Sequence, residues 1–138
     1  MQKLFNQINN LNHGITGPQI TETDIADYQQ ELSAAGYPTM PDPVKVFLLK
    51  HNGFMSEGRT VFGINKNKHF IYDLIGENNF ADVPSPADTL LLGSTETTYI
   101  AYFKSSHTYS MIDKSTFMVL HDFNNFQDAI RYILKIDD

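Results

Sequence analysis

The residue types that do chemistry most readily are thinly spread along this chain. Five histidines stand at His13, His51, His69, His107 and His121. No two have the three- or four-residue spacing that sets metal ligands on one helix face, and no His-Glu-x-x-His motif occurs. They read as surface or capping histidines, with His51 before Asn52-Gly53 as a helix C-terminal residue at the negative dipole end. Cysteine is absent, which removes thiolate metal sites, a cysteine nucleophile and a disulfide framework. No serine lies in a Gly-x-Ser-x-Gly elbow. Gly14 and Gly17 form a loop pair without the Gly-Lys-Ser/Thr of a phosphate-binding loop. Paired carboxylates need only spatial proximity, and with sixteen acidic residues some pair falls close by chance. The expectation is a protein that is not an enzyme, with no catalytic residue, cofactor or metal; a small hydrolase is the enzymatic alternative.

The charge pattern has one gap. From His69 to Phe103 there is no Lys or Arg, while Asp73, Glu77, Asp82, Asp88 and Glu96 fall inside it. These five carboxylates form either an acidic, partner-binding face for a basic protein or an accident of composition. A formal net charge of −6 repels phosphate backbones, so direct nucleic-acid binding is not expected. Tyr99, Tyr102, Phe103 and Tyr109 add aromatic bulk on both faces of one region. That reads as a strand buried on two sides, with an exposed interface patch as the alternative.

The elements that must position these residues follow from periodicity. Leu4, Ile8 and Leu11 stand at helical spacing between Met1 and Asn12, and Asn12-His13-Gly14 ends that helix. Thr21 is an N-cap candidate with Asp24 three residues on; Ile25, Tyr28, Leu32 and Ala35 make one stripe, and Gly36 and Pro38 stop it. Asp42 caps a third helix with Pro43 in its first position, and Val44, Phe47 and Leu48 face the core. Asn52-Gly53 closes it, both residues tolerating the left-handed conformation. The period then changes to that of strands. Thr60 to Ile64 is a short strand, and Ile71 to Phe80 starts strand-like and turns helical from Asp73. Ala81 to Asp88, with Pro84 and Pro86, is a loop. Thr89 to Gly93, Tyr99 to Phe103, Thr108 to Ile112 and Phe117 to Leu120 form an antiparallel meander. Phe126, Ala129, Ile130, Ile133 and Leu134 mark a last helix capped by Asn124 or Asn125.

Strands and helices are segregated along the chain, which argues α+β: an antiparallel β-meander packed by N-terminal helices and a closing C-terminal helix. The 138 residues, 41% hydrophobic and 19% charged, suit one domain over 1–138 with a real core. The first twelve residues lack the apolar run of a secretory signal, and no apolar run is long enough to span a bilayer, so a cytoplasmic protein is expected.

These features, taken in order, resemble the SUKH superfamily, the Smi/Knr-type group of a fungal cell-wall-assembly regulator and its bacterial relatives. Met40-Pro41, Phe47-Leu48 and Asn52-Gly53 are similar to the family's Leu-Pro, helix, Phe-Leu, Asn-Gly segment. Val61-Phe62-Gly63 resembles the strand that follows, and Ile71-Tyr72-Asp73-Leu74 a segment of one bacterial subgroup. Leu91-Leu92-Gly93 resembles the strand leading into the meander, and Asp113 the acidic residue at its second turn. Phe123 to Phe126, with Ala129 and Ile133, resembles the closing element. The resemblance implies a non-enzymatic immunity protein that binds a cognate toxin, possibly a nuclease and so basic. A regulatory or scaffold domain in cell-wall control is the alternative. The family's partner surface varies, so no site residue carries over.

Overall fold

A computed structural model describes residues 1–11, 14–65 and 72–136. His13, His69 and Ile71, and with them the first helix's expected stop and the beginning of the acidic gap, lie outside the described residues.

Three helices come first: α1 (Gln2–Asn9), α2 (Glu22–Ala34) and α3 (Asp42–Lys50). The α2 start carries the expected capping box. Thr21 accepts the Asp24 N–H and Asp24 accepts the Thr21 N–H, so two orphan donors of the first turn are satisfied reciprocally. Ile25, Tyr28 and Leu32 are buried, whereas Ala35 is exposed at the C-cap. The α3 cap differs from expectation. Pro41 is the N-cap, and its carbonyl accepts the Val44 and Lys45 N–H groups. Asp42 is the first helical residue, with its carboxylate 3.9 Å from the Lys45 ammonium. Pro43 still costs nothing there, because the first-turn N–H it lacks has no intrahelical partner.

A six-stranded antiparallel sheet follows in simple sequence order: β1 (Phe54–Ser56), β2 (Arg59–Val61), β3 (Thr89–Ser94), β4 (Thr98–Phe103), β5 (Thr108–Asp113) and β6 (Val119–Phe123). Helix α4 (Leu74–Ala81) intervenes between β2 and β3, and α5 (Phe126–Leu134) closes the chain. β1 has no counterpart in the expected elements. Glu57-Gly58 joins it to β2 with both residues at positive φ, 52° and 78°, which is the two-residue turn that matches the twist of a hairpin. The expected strand Thr60 to Ile64 shifts to Arg59–Val61, beyond which Gly63 makes a parallel bridge to Asp73.

Phe117 is not a strand residue. Asp113 accepts the Ser115 and Thr116 N–H groups, and Phe117 sits at φ 59° with its N–H on the Asp113 carbonyl. That side-chain turn delays β6 to Val119.

The core forms where α1, α3 and α5 meet the sheet. Phe47 is fully buried, its ring 6.1 Å from Phe5 and 5.7 Å from Phe126. Tyr102 and Tyr109 are a register pair. They meet at 5.3 Å, and Tyr109 reaches Phe126 at 5.7 Å. Tyr99 and Phe103, one residue out of phase, lie on the other face. Both are partly buried.

Two asparagines hold the irregular joints. Asn52 is buried; its Nδ2 donates to the Pro18 and Ile64 carbonyls and its Oδ1 accepts the Ile64 N–H. Only Gly53 of the Asn-Gly pair takes positive φ, 76°, so Asn52 is a clamp on backbone and does not terminate α3. Asn78, equally buried, takes the place of a strand beside β3. It donates to Leu74 O and Leu91 O and accepts the Leu91 N–H. A buried ladder left open there would cost about 1–3 kcal/mol per group.

Candidate partner-binding surface

The fold does not gather the five carboxylates of the acidic gap. Asp73 caps α4: Oδ2 accepts the Gly76 N–H, and Oδ1 accepts both the Tyr28 hydroxyl at 2.7 Å and the Asn65 N–H. Burial drives the Tyr28 hydroxyl far above its ordinary titration range, so it stays a donor, and Asp73 is a structural joint between α2 and α4. Glu77 is half-buried, and desolvation raises its carboxyl despite the nearby Lys114 ammonium. Asp88 is held by Ser105, whose N–H and hydroxyl donate to its two oxygens at 2.7 and 3.1 Å. Asp82 is exposed at the left-handed C-cap of α4. Glu96 is exposed in the β3–β4 turn. β3 separates it from Asp88 by about 20 Å of strand. Glu96 instead borders a polar cleft with Glu57, Arg59, Thr98, Tyr132 and Lys135. Arg59 is already engaged there, donating to the Tyr132 and Ile133 carbonyls.

The described histidines are likewise apart. His51 is packed among Phe5, Phe47 and Phe54, with ring centroids 5.6, 5.9 and 6.2 Å away. Burial depresses its basicity, helped by Lys50. His107 meets the Tyr102 hydroxyl at 3.0 Å. His121 lies on β6 against Phe123. Among the described residues no group of three His, Asp or Glu side chains is placed to hold a metal.

Sequence reasoning placed a strand at Phe117 to Leu120 but did not single it out as a surface. Among the described residues β6 ends the sheet, with β5 as its one strand neighbour. Met118, Val119 and Leu120 stand there 66%, 52% and 53% exposed. The register steps from Met111↔His121 to Ile112↔Val119, so a bulge sets Val119 and Leu120 opposite a single residue. Ile112 in turn lines a half-open hollow of about 200 Å³ with Val83, Pro84, Phe103 and Phe117. The proline loop forms one wall of the hollow, and the apolar edge adjoins it through Phe117 and the Ile112–Val119 pair. Asp88 lines the hollow and Asp82 precedes Val83 at its rim. Asp122 lies on the strand itself, taking the Ser110 hydroxyl. The available signal was the run Phe117-Met118-Val119-Leu120, whose lack of alternation marks a strand with no clear inner face.

A second apolar groove, about 670 Å³, runs between α2 and α3 along Ile25, Ala26, Val46 and Leu49. Its backbone is satisfied inside two helices, so it offers shape without directional bonding.

Comparison with family models and with curated protein sequences finds no match. The fold itself is shared. A crystal structure of a protein from Pseudomonas syringae pv. tomato superposes with a TM-score of 0.73, covering 95% of this chain and 96% of that one at 14% identity. At that identity the likeness is one of architecture: N-terminal helices, a meander and a helix closing on the sheet. No helix among the described residues is long and apolar enough to cross a membrane.

Proposed function

We propose that this chain is a non-enzymatic protein-binding domain, an immunity protein of the SUKH type that docks on a basic toxin in the cytoplasm and blocks it. The observation that carries the reading is the open, apolar edge of β6 beside the hollow. Exposed apolar groups that adjoin one another mark interaction surfaces far more than scattered single residues do. Of the side chains singled out by sequence, Asp73 and Asp88 are occupied in capping and bracing, while Asp82 and Glu96 are exposed, which fits a scaffold that presents a surface. The order of short motifs from Met40-Pro41 to Ile133 supports the family, and the net charge of −6 supports a basic partner.

The test is a complex with the protein encoded beside this gene. One-to-one stoichiometry by calorimetry, an association rate that falls with added salt, and loss of the neighbour's toxicity on co-expression are expected. Asp82→Lys, at an exposed carboxylate with no structural bond, should slow association at low salt. A neighbour that stays toxic and unbound removes the toxin-neutralising reading.

A further inference from the structure

Resting on that reading, we infer how the partner is held: it adds a strand to β6, through an extended segment in which basic side chains alternate with apolar ones. The two ends of the sheet differ in what they leave free. β1 is bridged on its outer side, where Ile15 and Met55 exchange both N–H···O bonds at 2.9 and 2.8 Å. Among the described residues β6 has no such cover, so its outward N–H and C=O groups are left in a row that only another extended backbone can pair along its length.

The usual protections of an open edge are weak here. No Lys, Arg or Pro lies between Phe117 and Phe123, and Met118, Val119 and Leu120 are exposed beside the polar His121 and Asp122. Side chains alternate along an added strand. Those on the side of Ile112 meet Val119, Leu120 and the hollow, which asks for an apolar residue.

Charge decides between a foreign strand and a second copy of this chain. Asp122 lies in β6 and Asp113 one hydrogen bond from Met118, with Asp88 and Asp82 at the hollow. Lys104 and Lys114 offset them only in part. A two-fold pairing of β6 with itself would bring the carboxylates of both copies together. The bulge at Leu120 would also put such a pair out of register, since a one-residue slip exchanges the faces. A strand carrying Lys or Arg meets no such repulsion, and it faces one bulge where a two-fold pair would face two.

The experiment uses the full chain and three synthetic octapeptides. One alternates Lys and Val, one alternates Glu and Val, and the third is the Lys–Val peptide N-methylated at alternate residues so that one edge cannot donate. Binding is read by fluorescence anisotropy and by amide chemical shifts, with sedimentation of the chain alone alongside. The Lys–Val peptide should bind at least about tenfold more tightly than the Glu–Val peptide. N-methylation should weaken it by a similar factor, the shifts should centre on residues 118–123, and Leu120→Lys should abolish it while the chain stays folded. Failure of the Lys–Val peptide to bind, indifference to N-methylation, shifts centred on the α2–α3 groove, or self-association through β6 each overturn the inference. A complex with the neighbouring gene's protein that survives Leu120→Lys would overturn it too and leave the protein-binding reading standing.

Discussion

The two edges of the sheet are built from similar lengths of chain and end in opposite conditions. At the β1 edge, three short residues of strand are backed by Phe54 against His51, by the Phe5–Phe47 contact and by the Ile15 bridge. Asn52 ties that corner to Pro18 and Ile64. At the β6 edge, five residues are held by β5 and α5, and no strand among the described residues pairs with their outer side. A strand of the first kind is a cost in exposed backbone that the fold has closed over. A strand of the second kind has kept its backbone available, and with it a place for another chain. If a partner docks on β6 as proposed, stability and recognition lie at opposite ends of one sheet, and substitutions should separate them.

The largest effect belongs to the closed side. Phe47→Ala removes a ring with no solvent exposure that touches Phe5, His51 and Phe126. It should cost about 3–5 kcal/mol, read as a shifted denaturant midpoint. A midpoint near wild type would mean that the aromatic box behind β1 does not hold that edge. Asn52→Ala comes next. It strands the buried Ile64 N–H and C=O, and a loss of about 2–4 kcal/mol is expected from unpaired groups of this kind. The same denaturation series measures it, and a loss below about 1 kcal/mol would show that water replaces the clamp.

A pH series probes the same corner. His51 is half-buried among three Phe rings, its Nε2 buried with no hydrogen-bond partner, and its pKa in the fold lies below the ordinary value. The unfolded chain therefore binds the proton more readily. Stability should be full above about pH 6.5, the unfolded value, and fall as pH drops through it toward the depressed folded value. Thermal melts at pH 7.5 and 5.5 should show a larger drop for wild type than for His51→Phe. Equal drops would assign the pH dependence to other groups.

The smallest stability effect belongs to the open side. Leu120→Lys exchanges an exposed side chain for another and should stay within about 0.5 kcal/mol of wild type. A larger loss in chemical denaturation would mean that β6 is part of the packed core and the contrast between the edges is false.

Local chemistry was legible along the chain and long-range placement was not. The Thr21–Asp24 box, the Asn125 cap of α5, the apolar stripes of α2, α3 and α5, and three strands of the meander are dictated by residues within a few positions of one another. Capping bonds and side-chain periodicity are short-range physics, so sequence spacing carries them. The same holds for the α+β order of elements. Errors arose where a short-range signal had two outcomes. Asp42 was free to cap or to enter the first turn, and the Pro41 carbonyl took the cap position. Phe117 was free to begin a strand, and the Asp113 turn claimed it.

The surface was set by tertiary structure alone. The five carboxylates of one sequence stretch are not gathered by the fold: Asp73 and Glu77 stay neighbours at the start of α4, Asp82 lies at its other end, and β3 carries Glu96 away from Asp88. Asp73 and Asp88 became bracing groups only once Tyr28 and Ser105 were brought to them from 45 and 17 residues away. Whether Met118-Val119-Leu120 would be core or edge depended on which strand ended the sheet, and a strand's neighbours are fixed by the packing of the whole chain. An apolar run records that burial is favourable; only the assembled sheet leaves this one at an edge that no strand among the described residues covers.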